Sequence, residues 1–195
     1  MKDAASSFRV ARADEGPILA ELIEAASEGL AFHTWSKDAG PGEDPWVRGA
    51  ERQAAAAAEG KWVVAVEGDE PVAGLRGEML PDQPEPIPDD FEPLFRPLQE
   101  LEDAAAGSFY VHVLACREGR RGQGWGTLLL SLAEDIARGM SCKTLSIIVA
   151  DSNKGARRLY ERFGFRETER RAMVKGDWQS DGAEWVLMLK PIRPC

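Results

Sequence analysis

The residues most ready for chemistry lie together in one stretch, Arg120-Arg121-Gly122-Gln123-Gly124-Trp125-Gly126-Thr127. Glycines at alternate positions let the backbone come close to an anion. The stretch sits between a strand-like run and a helix-like run, so the first free N–H groups of that helix point at the same spot. The helix dipole and the two arginines add positive charge there. Such a turn can cradle a phosphate or pyrophosphate; Gly-rich strand-to-helix turns also occur for close packing alone. A P-loop would need Lys followed by Ser or Thr after the last glycine, and no such Lys occurs. A dinucleotide fold would want GxGxxG and an acid after the next strand. The spacing here is GxGxG, although Asp151 does follow that strand, so this alternative stays weak but open.

The elements that must position this turn can be read from periodicity. Phe8 to Arg12 alternates and reads as a first strand. Asp14 then caps a helix whose Ile18, Leu19, Leu22 and Ile23 recur at helical spacing. From Ala31 to Pro45 the pattern dissolves into Gly, Pro and Asp, a loop in which His33 faces solvent beside Trp35. An Ala-rich helix from Trp46 to Glu59 has high propensity but little to pack. Strands over Trp62–Val66 and Val72–Met79 flank a Gly68–Asp69 hairpin signal. Residues 81–107 read as an insertion: a loop with Pro81, Pro84, Pro86 and Pro88, then a helix over Pro93–Ala106 through Leu94, Leu98 and Leu101. Ser108–Cys116 is a strand rich in β-branched and aromatic residues. The helix from Gly124 to Arg138 carries a stripe of Trp125, Leu128, Leu129, Leu132 and Ile136. A strand over Thr144–Val149 and a helix over Asn153–Phe163 follow, with Gly164 placed as a left-handed C′ residue and Phe165 as its apolar partner. Two strands close the chain, Arg166–Val174 and Glu184–Lys190. The second half is thus a parallel crossover followed by an antiparallel end, a mixed α/β sheet.

Bulk properties bound the function. The 195 residues suit one domain over 1–195. Net charge is −9, so no basic groove for nucleic acid is expected, while an acidic surface would concentrate a cationic ligand. No window approaches a membrane span, and the start MKDAASSFRV lacks a signal-peptide core. Cys116, Cys142 and Cys195 show no metal-like pairing and read as reduced thiols of a cytoplasmic protein. Exposed edge strands make a homodimer reasonable.

Two motifs in register identify a resemblance. The GNAT superfamily of N-acetyltransferases carries R/Q-x-x-G-x-G/A, matched by Arg121, Gly124 and Gly126, after a strand ending like Leu114-Ala115-Cys116. Its later pattern N-x-x-A-x-x-L-Y-x-x-x-G-F is matched by Asn153, Ala156, Leu159, Tyr160, Gly164 and Phe165. The match covers 108–166 closely and the rest by element order. The resemblance implies a mixed, mostly antiparallel sheet of about seven strands flanked by helices, with the insertion between the third and fourth. It implies acetyl-CoA as co-substrate and no metal. Amides of Gly122, Gln123, Gly124, Trp125 and Gly126 would bind the CoA pyrophosphate, with Arg121 at the entrance and Thr127 completing the turn. Leu114, Ala115 and Cys116 would lend backbone groups to the pantetheine arm and thioester, and Asn153 would contact or orient that arm. Tyr160 would protonate the departing thiolate.

The implied chemistry needs a neutral amine, a polarised thioester carbonyl and a proton for sulfur. An alkylamine resembles Lys, with a pKa of roughly 10.4, so a base is useful. Strand alternation puts Tyr110, His112, Leu114 and Cys116 on one face. Arylalkylamine-type members carry a histidine at the His112 position, and a second one where this chain has Tyr110. His112 is therefore the candidate base, with Glu78 or an ordered water as alternatives. Cys116 has no acid–base pair beside it and is no nucleophile. The acceptor, a small-molecule or peptide amine, is not specified, and a non-catalytic acyl-CoA sensor on the same fold is the competing expectation.

Overall fold

The computed structural model describes residues 6–193. Their sheet contains seven strands, β1 (Ser6–Val10), β2 (Trp62–Glu67), β3 (Glu70–Met79), β4 (Phe109–Cys116), β5 (Thr144–Ala150), β6 (Arg166–Ala172) and β7 (Glu184–Pro191), in the order β1-β2-β3-β4-β5-β7-β6. The described chain divides into two compact units, one of residues up to 76 with 113–129, the other of 77–112 with 130 onward. Among the described residues no helix is long and apolar enough to cross a membrane.

In the first unit, β1 (Ser6–Val10) pairs antiparallel with β2 (Trp62–Glu67), which pairs antiparallel with β3 (Glu70–Met79) across the expected Gly68–Asp69 turn. Leu19 and Leu22 of α1 (Gly16–Ser27) are fully buried with Trp62 and Val64. Asp14 is not the cap of α1. Glu15 takes that end instead: its carboxylate accepts from the Arg12 N–H at 2.7 Å and from both terminal nitrogens of Arg9 at 2.9 and 2.6 Å. Those Arg9 bonds, joined by the Arg12 N–H, hold Glu15 below the usual carboxylate range against the opposing effect of burial.

The stretch expected as a loop from Ala31 instead folds as α2 (Leu30–Asp38). Its orphan amides are met by side chains of α1: Ser27 Oγ accepts from Ala31 N and Glu24 Oε2 from Phe32 N. Trp35 is buried, so His33 is half-buried on a helix rather than solvent-facing on a loop. The Ala-rich α3 (Pro45–Ala58) also packs more than its composition promises. Small side chains let it approach α1 so closely that a Cβ on Gly16 would lie 2.5 Å from the Ala50 carbonyl oxygen. Likewise, a Cβ on Gly49 would meet the Trp35 ring at 2.6 Å.

In the second unit, β4 (Phe109–Cys116) pairs parallel with β5 (Thr144–Ala150) through Phe109, Tyr110 and Val111. The last strand, β7 (Glu184–Pro191), lies between β5 and β6 (Arg166–Ala172) and is antiparallel to both. The inner strand is apolar on both faces from Trp185 to Met188, whereas edge strand β6 is polar and almost wholly exposed. The insertion forms α4 (Arg96–Ala104), with Leu101 fully buried. Along α5 (Trp125–Gly139) the buried stripe is Trp125, Leu129, Leu130, Ala133 and Ala137, and Leu128 is exposed. The expected stripe was rotated because two alanines and a third leucine, not Leu132 and Ile136, face inward.

Candidate functional site

The turn after β4 is built from short-range bonds. The Arg117 N–H donates to the Val72 carbonyl at 2.9 Å, ending the β3–β4 pairing, and the Arg120 N–H returns to the Arg117 carbonyl at 3.0 Å. Gln123 braces the loop by donating to the Gly119 carbonyl at 3.1 Å. Gly122 and Gly124 hold φ of +74° and +92°, and a Cβ on either would meet nothing within 4 Å. Only glycine adopts these angles readily, and the space beside them is open to an approaching group.

Donors point into the same region. The Leu128 N–H is bonded to the Gly124 carbonyl at 3.2 Å, so Trp125, Gly126 and Thr127 are the first-turn amides without a helical acceptor. Gly126 donates to the Cys116 thiol. Burial pushes that thiol up, and the nearby Arg121 charge and the Gly126 amide offset this only partly, so Cys116 stays a protonated thiol. Three arginines line the turn, but they are not equivalent. Arg117 pairs with Glu70 and lies 4.0 Å from Glu21; Arg120 pairs with Glu67 at 2.9 Å. Arg121 is exposed and makes no ion pair or hydrogen bond among the described residues. The expectation of two arginines acting together is therefore corrected: Glu67 engages one, and Arg121 remains to meet an anion. A cavity of about 400 Å³ opens here between Glu21, Leu22 and Ala25 of α1 and Cys116, Arg117 and Arg121.

On β4 the burial alternates as the strand pattern requires. Val113 and Ala115 are buried, while Leu114 and Cys116 are half-buried on the other face, which continues through His112.

In the second unit, His112 is exposed and its ring stacks on Tyr110, with centroids 5.7 Å apart and planes 19° off parallel. Asn153 caps α6 (Lys154–Phe163), its side-chain oxygen accepting from the Ala156 N–H at 3.1 Å. That use of the oxygen leaves the amide NH₂ as the group able to serve a ligand. Tyr160 is buried in the last turns of α6. Its carbonyl accepts from the Phe165 N–H while Glu161 accepts from Gly164, the paired closure expected of a left-handed Gly164, whose φ is +106°. The Tyr160 ring lies 5.9 Å from that of the fully buried Phe165. Asp151 is occupied elsewhere. Burial alone would raise it, but amides of Ala183, Glu184 and Ser152 outweigh this and pull it below the ordinary range. The acid that a dinucleotide site would need is thereby spent on backbone.

One residue of this unit was missed in the sequence. Glu102 of α4 has its carboxyl pushed up to about 7, first by burial, then by the charges of Glu78 and Asp103, against a stabilising hydrogen bond from Tyr110. A usable signal existed. Leu98, Leu101, Glu102 and Ala105 share one helix face, so a carboxylate stands within an apolar stripe. Glu78 itself is exposed at the end of β3.

No curated protein matches the chain. Among solved structures, a mosquito arylalkylamine N-acetyltransferase like 5b superposes with a TM-score of 0.66 at 16% identity, over 96% of this chain and 100% of that one. PaiA N-acetyltransferase from Thermoplasma acidophilum, solved with coenzyme A, gives 0.61 at 10% identity over 96% and 99%. The ribosomal-protein-S18-alanine N-acetyltransferase from Escherichia coli gives 0.57 at 16% over 97% and 96%. At such identities the likeness concerns the fold alone. The sequence model of the Acetyltransferase (GNAT) family matches residues 29–165, from α2 through the turn to Phe165. This chain belongs to the GNAT acetyltransferase family.

Proposed function

We propose that this protein is an acyl-CoA-dependent N-acyltransferase that moves an acetyl group from acetyl-CoA to a primary amine. The carrying observation is the turn from Arg121 to Thr127, with open glycines, first-turn amides of Trp125 and Thr127 that have no helical acceptor, and an arginine without an ion pair among the described residues. Amides of Gly122 to Gly126 bind the pyrophosphate, Arg121 adds charge at its entrance, and Thr127 closes the first helical turn. Leu114, Ala115 and Cys116 offer backbone groups to the pantetheine arm and the thioester carbonyl, where N–H donors stabilise the oxyanion. Asn153 contributes its NH₂ to the same arm. The whole chain acts as one acetyltransferase domain, a reading favoured by relatives whose full lengths it spans.

His112 accepts a proton from the amine, whose lone pair then attacks the thioester carbon directly. The C–N bond forms first, giving the tetrahedral oxyanion. Its collapse re-forms the carbonyl and breaks the C–S bond, and the Tyr160 hydroxyl protonates the departing thiolate. The remaining extra N–H proton of the former amine passes through solvent to restore the Tyr160 hydroxyl. Its buried position suits a group that must deliver a proton away from bulk water.

The test is release of free CoA thiol from acetyl-CoA across a panel of alkylamines, arylalkylamines, polyamines and peptide N-termini. Amine-dependent thiol release is expected for at least one class. CoA binding without turnover across the whole panel would instead indicate a sensor.

A further inference from the structure

The insertion between β3 and β4 carries a second cavity, of about 280 Å³, away from the Gly-rich turn in sequence and formed wholly within the second unit. One part of its wall is apolar: Leu80, Pro84, Ile87 and Phe91 contribute to it. Another part is anionic, with Glu102 and Asp103 from α4. The prolines fix their backbone angles, so this wall is stiff without needing a strand or helix of its own. Arg96 fastens the loop to α4 by donating to the Pro88 carbonyl at 2.6 Å.

A mostly apolar pocket with acidic side chains on one part of its wall suits a ligand with a cationic head and an apolar body. The two carboxylates are not alike. Asp103 is engaged by Gln99, whose Nε2 donates to it at 2.9 Å. Glu102 is oriented by the Tyr110 hydroxyl, and Tyr110 stacks on His112, the proposed base. We propose, building on the transferase reading, that this cavity is the acceptor subsite. It takes a small primary amine with an apolar body, whose ammonium is held by the Glu102 carboxylate.

The titration of Glu102 supports this. The charged groups around it are Glu78 on β3, Asp103 on α4 and Glu85 in the loop, with Tyr110 on β4 the hydrogen-bond donor. The nearby cations on this side are already engaged, Arg96 by backbone carbonyls and Arg171 by Glu100 and Glu169. A carboxyl crowded by like charge and buried holds its proton to about 7. A bound ammonium supplies the positive charge that these carboxylates lack and lets Glu102 ionise.

Calorimetric binding of 2-phenylethylamine to the full-length protein saturated with CoA tests the subsite, with ethylamine as the probe lacking an apolar body. The amine stays protonated from pH 6 to 8, while the ionised fraction of Glu102 rises about tenfold, so affinity should rise about tenfold. Glu102→Gln should weaken phenylethylamine binding at pH 8 at least tenfold and abolish its pH dependence. Phe91→Ser should weaken phenylethylamine and leave ethylamine unchanged. Should Glu102→Gln fail to fold, the wild-type pH dependence and Phe91→Ser still decide. Phenylethylamine that does not bind, or binds with no pH dependence, or binds Glu102→Gln as it binds wild type, overturns the subsite. Failure of CoA itself to bind would instead overturn the transferase reading, so the two failures are distinct.

Discussion

The Gly-rich turn and the insertion pocket solve opposite problems by opposite means. The turn is exposed, is built mainly of backbone amides, and presents one unpaired cation, Arg121. The pocket is half-enclosed, is built of side chains, and presents a carboxyl that resists ionisation, Glu102. Backbone donors cost no rotamer entropy and keep their charge distribution at every pH, which suits a permanently anionic pyrophosphate. A side-chain carboxyl can be tuned by its neighbours, which suits a ligand whose proton must be handled. On this account, changes in the turn alter CoA binding and leave pH profiles alone. Changes at Tyr160, His112 or the insertion pocket alter turnover, acceptor binding or pH profiles and leave CoA binding alone.

The largest effect should come from Tyr160→Phe, which removes only a hydroxyl. Turnover should fall about 10²–10⁴-fold, the usual worth of general acid catalysis, with CoA binding unchanged. An unaltered kcat with chemistry rate-limiting would reduce Tyr160 to packing against Phe165. His112→Gln should lower kcat/KM about 10²-fold and remove the acidic limb of the pH–rate profile, leaving only the rise from deprotonation of the amine itself. If the mutant instead melts lower and keeps that limb, the histidine is structural and the base lies elsewhere.

A smaller effect sharpens the turn's side of the contrast. Arg121→Ala should weaken CoA about tenfold, at the low end for an exposed charge-assisted hydrogen bond, and the loss should shrink in high salt. Arg120→Ala should change CoA affinity less than about twofold, because Glu67 already occupies it. Equal losses in both would show that the ion pairs do not rank the arginines.

The smallest effect is on stability. Glu102 has a folded-state pKa raised from 4.5 to about 7, so its stabilising contribution is complete below 4.5 and is lost as pH rises through 7. Glu102→Gln should therefore melt close to wild type at pH 4 and several degrees above it at pH 8.5. The gain is roughly 1–2 kcal/mol once residual contact with water is allowed for. A melting difference that ignores pH would contradict the buried, like-charge setting of Glu102.

The turn was legible in sequence because its chemistry is local: three glycines, a helix start and two arginines within eight positions. The same holds for the close of α6, where Gly164 and Phe165 act on residues one turn back. What could not be read depends on distant partners. Arg120 is captured by Glu67 from another strand, and Glu102 is tuned by Glu78 and Tyr110 from two. Helix α2 escaped notice because its first-turn amides are satisfied by Ser27 and Glu24 of the preceding helix, not by a cap of its own. The placement of β7 between β5 and β6 is likewise a pairing choice that periodicity alone does not encode.

The most direct test of the central claim, that the turn is a CoA pyrophosphate cradle, is the thermal shift produced by CoA in wild type and in Gly124→Val. A ligand that binds only the folded protein adds about 2.7 kcal/mol at a hundredfold excess over Kd. Wild type should therefore melt several degrees higher with CoA. Valine at a φ of +92° would strain the turn and fill the open space beside it, so the mutant should show little or no shift. Equal shifts in the two proteins would contradict the cradle.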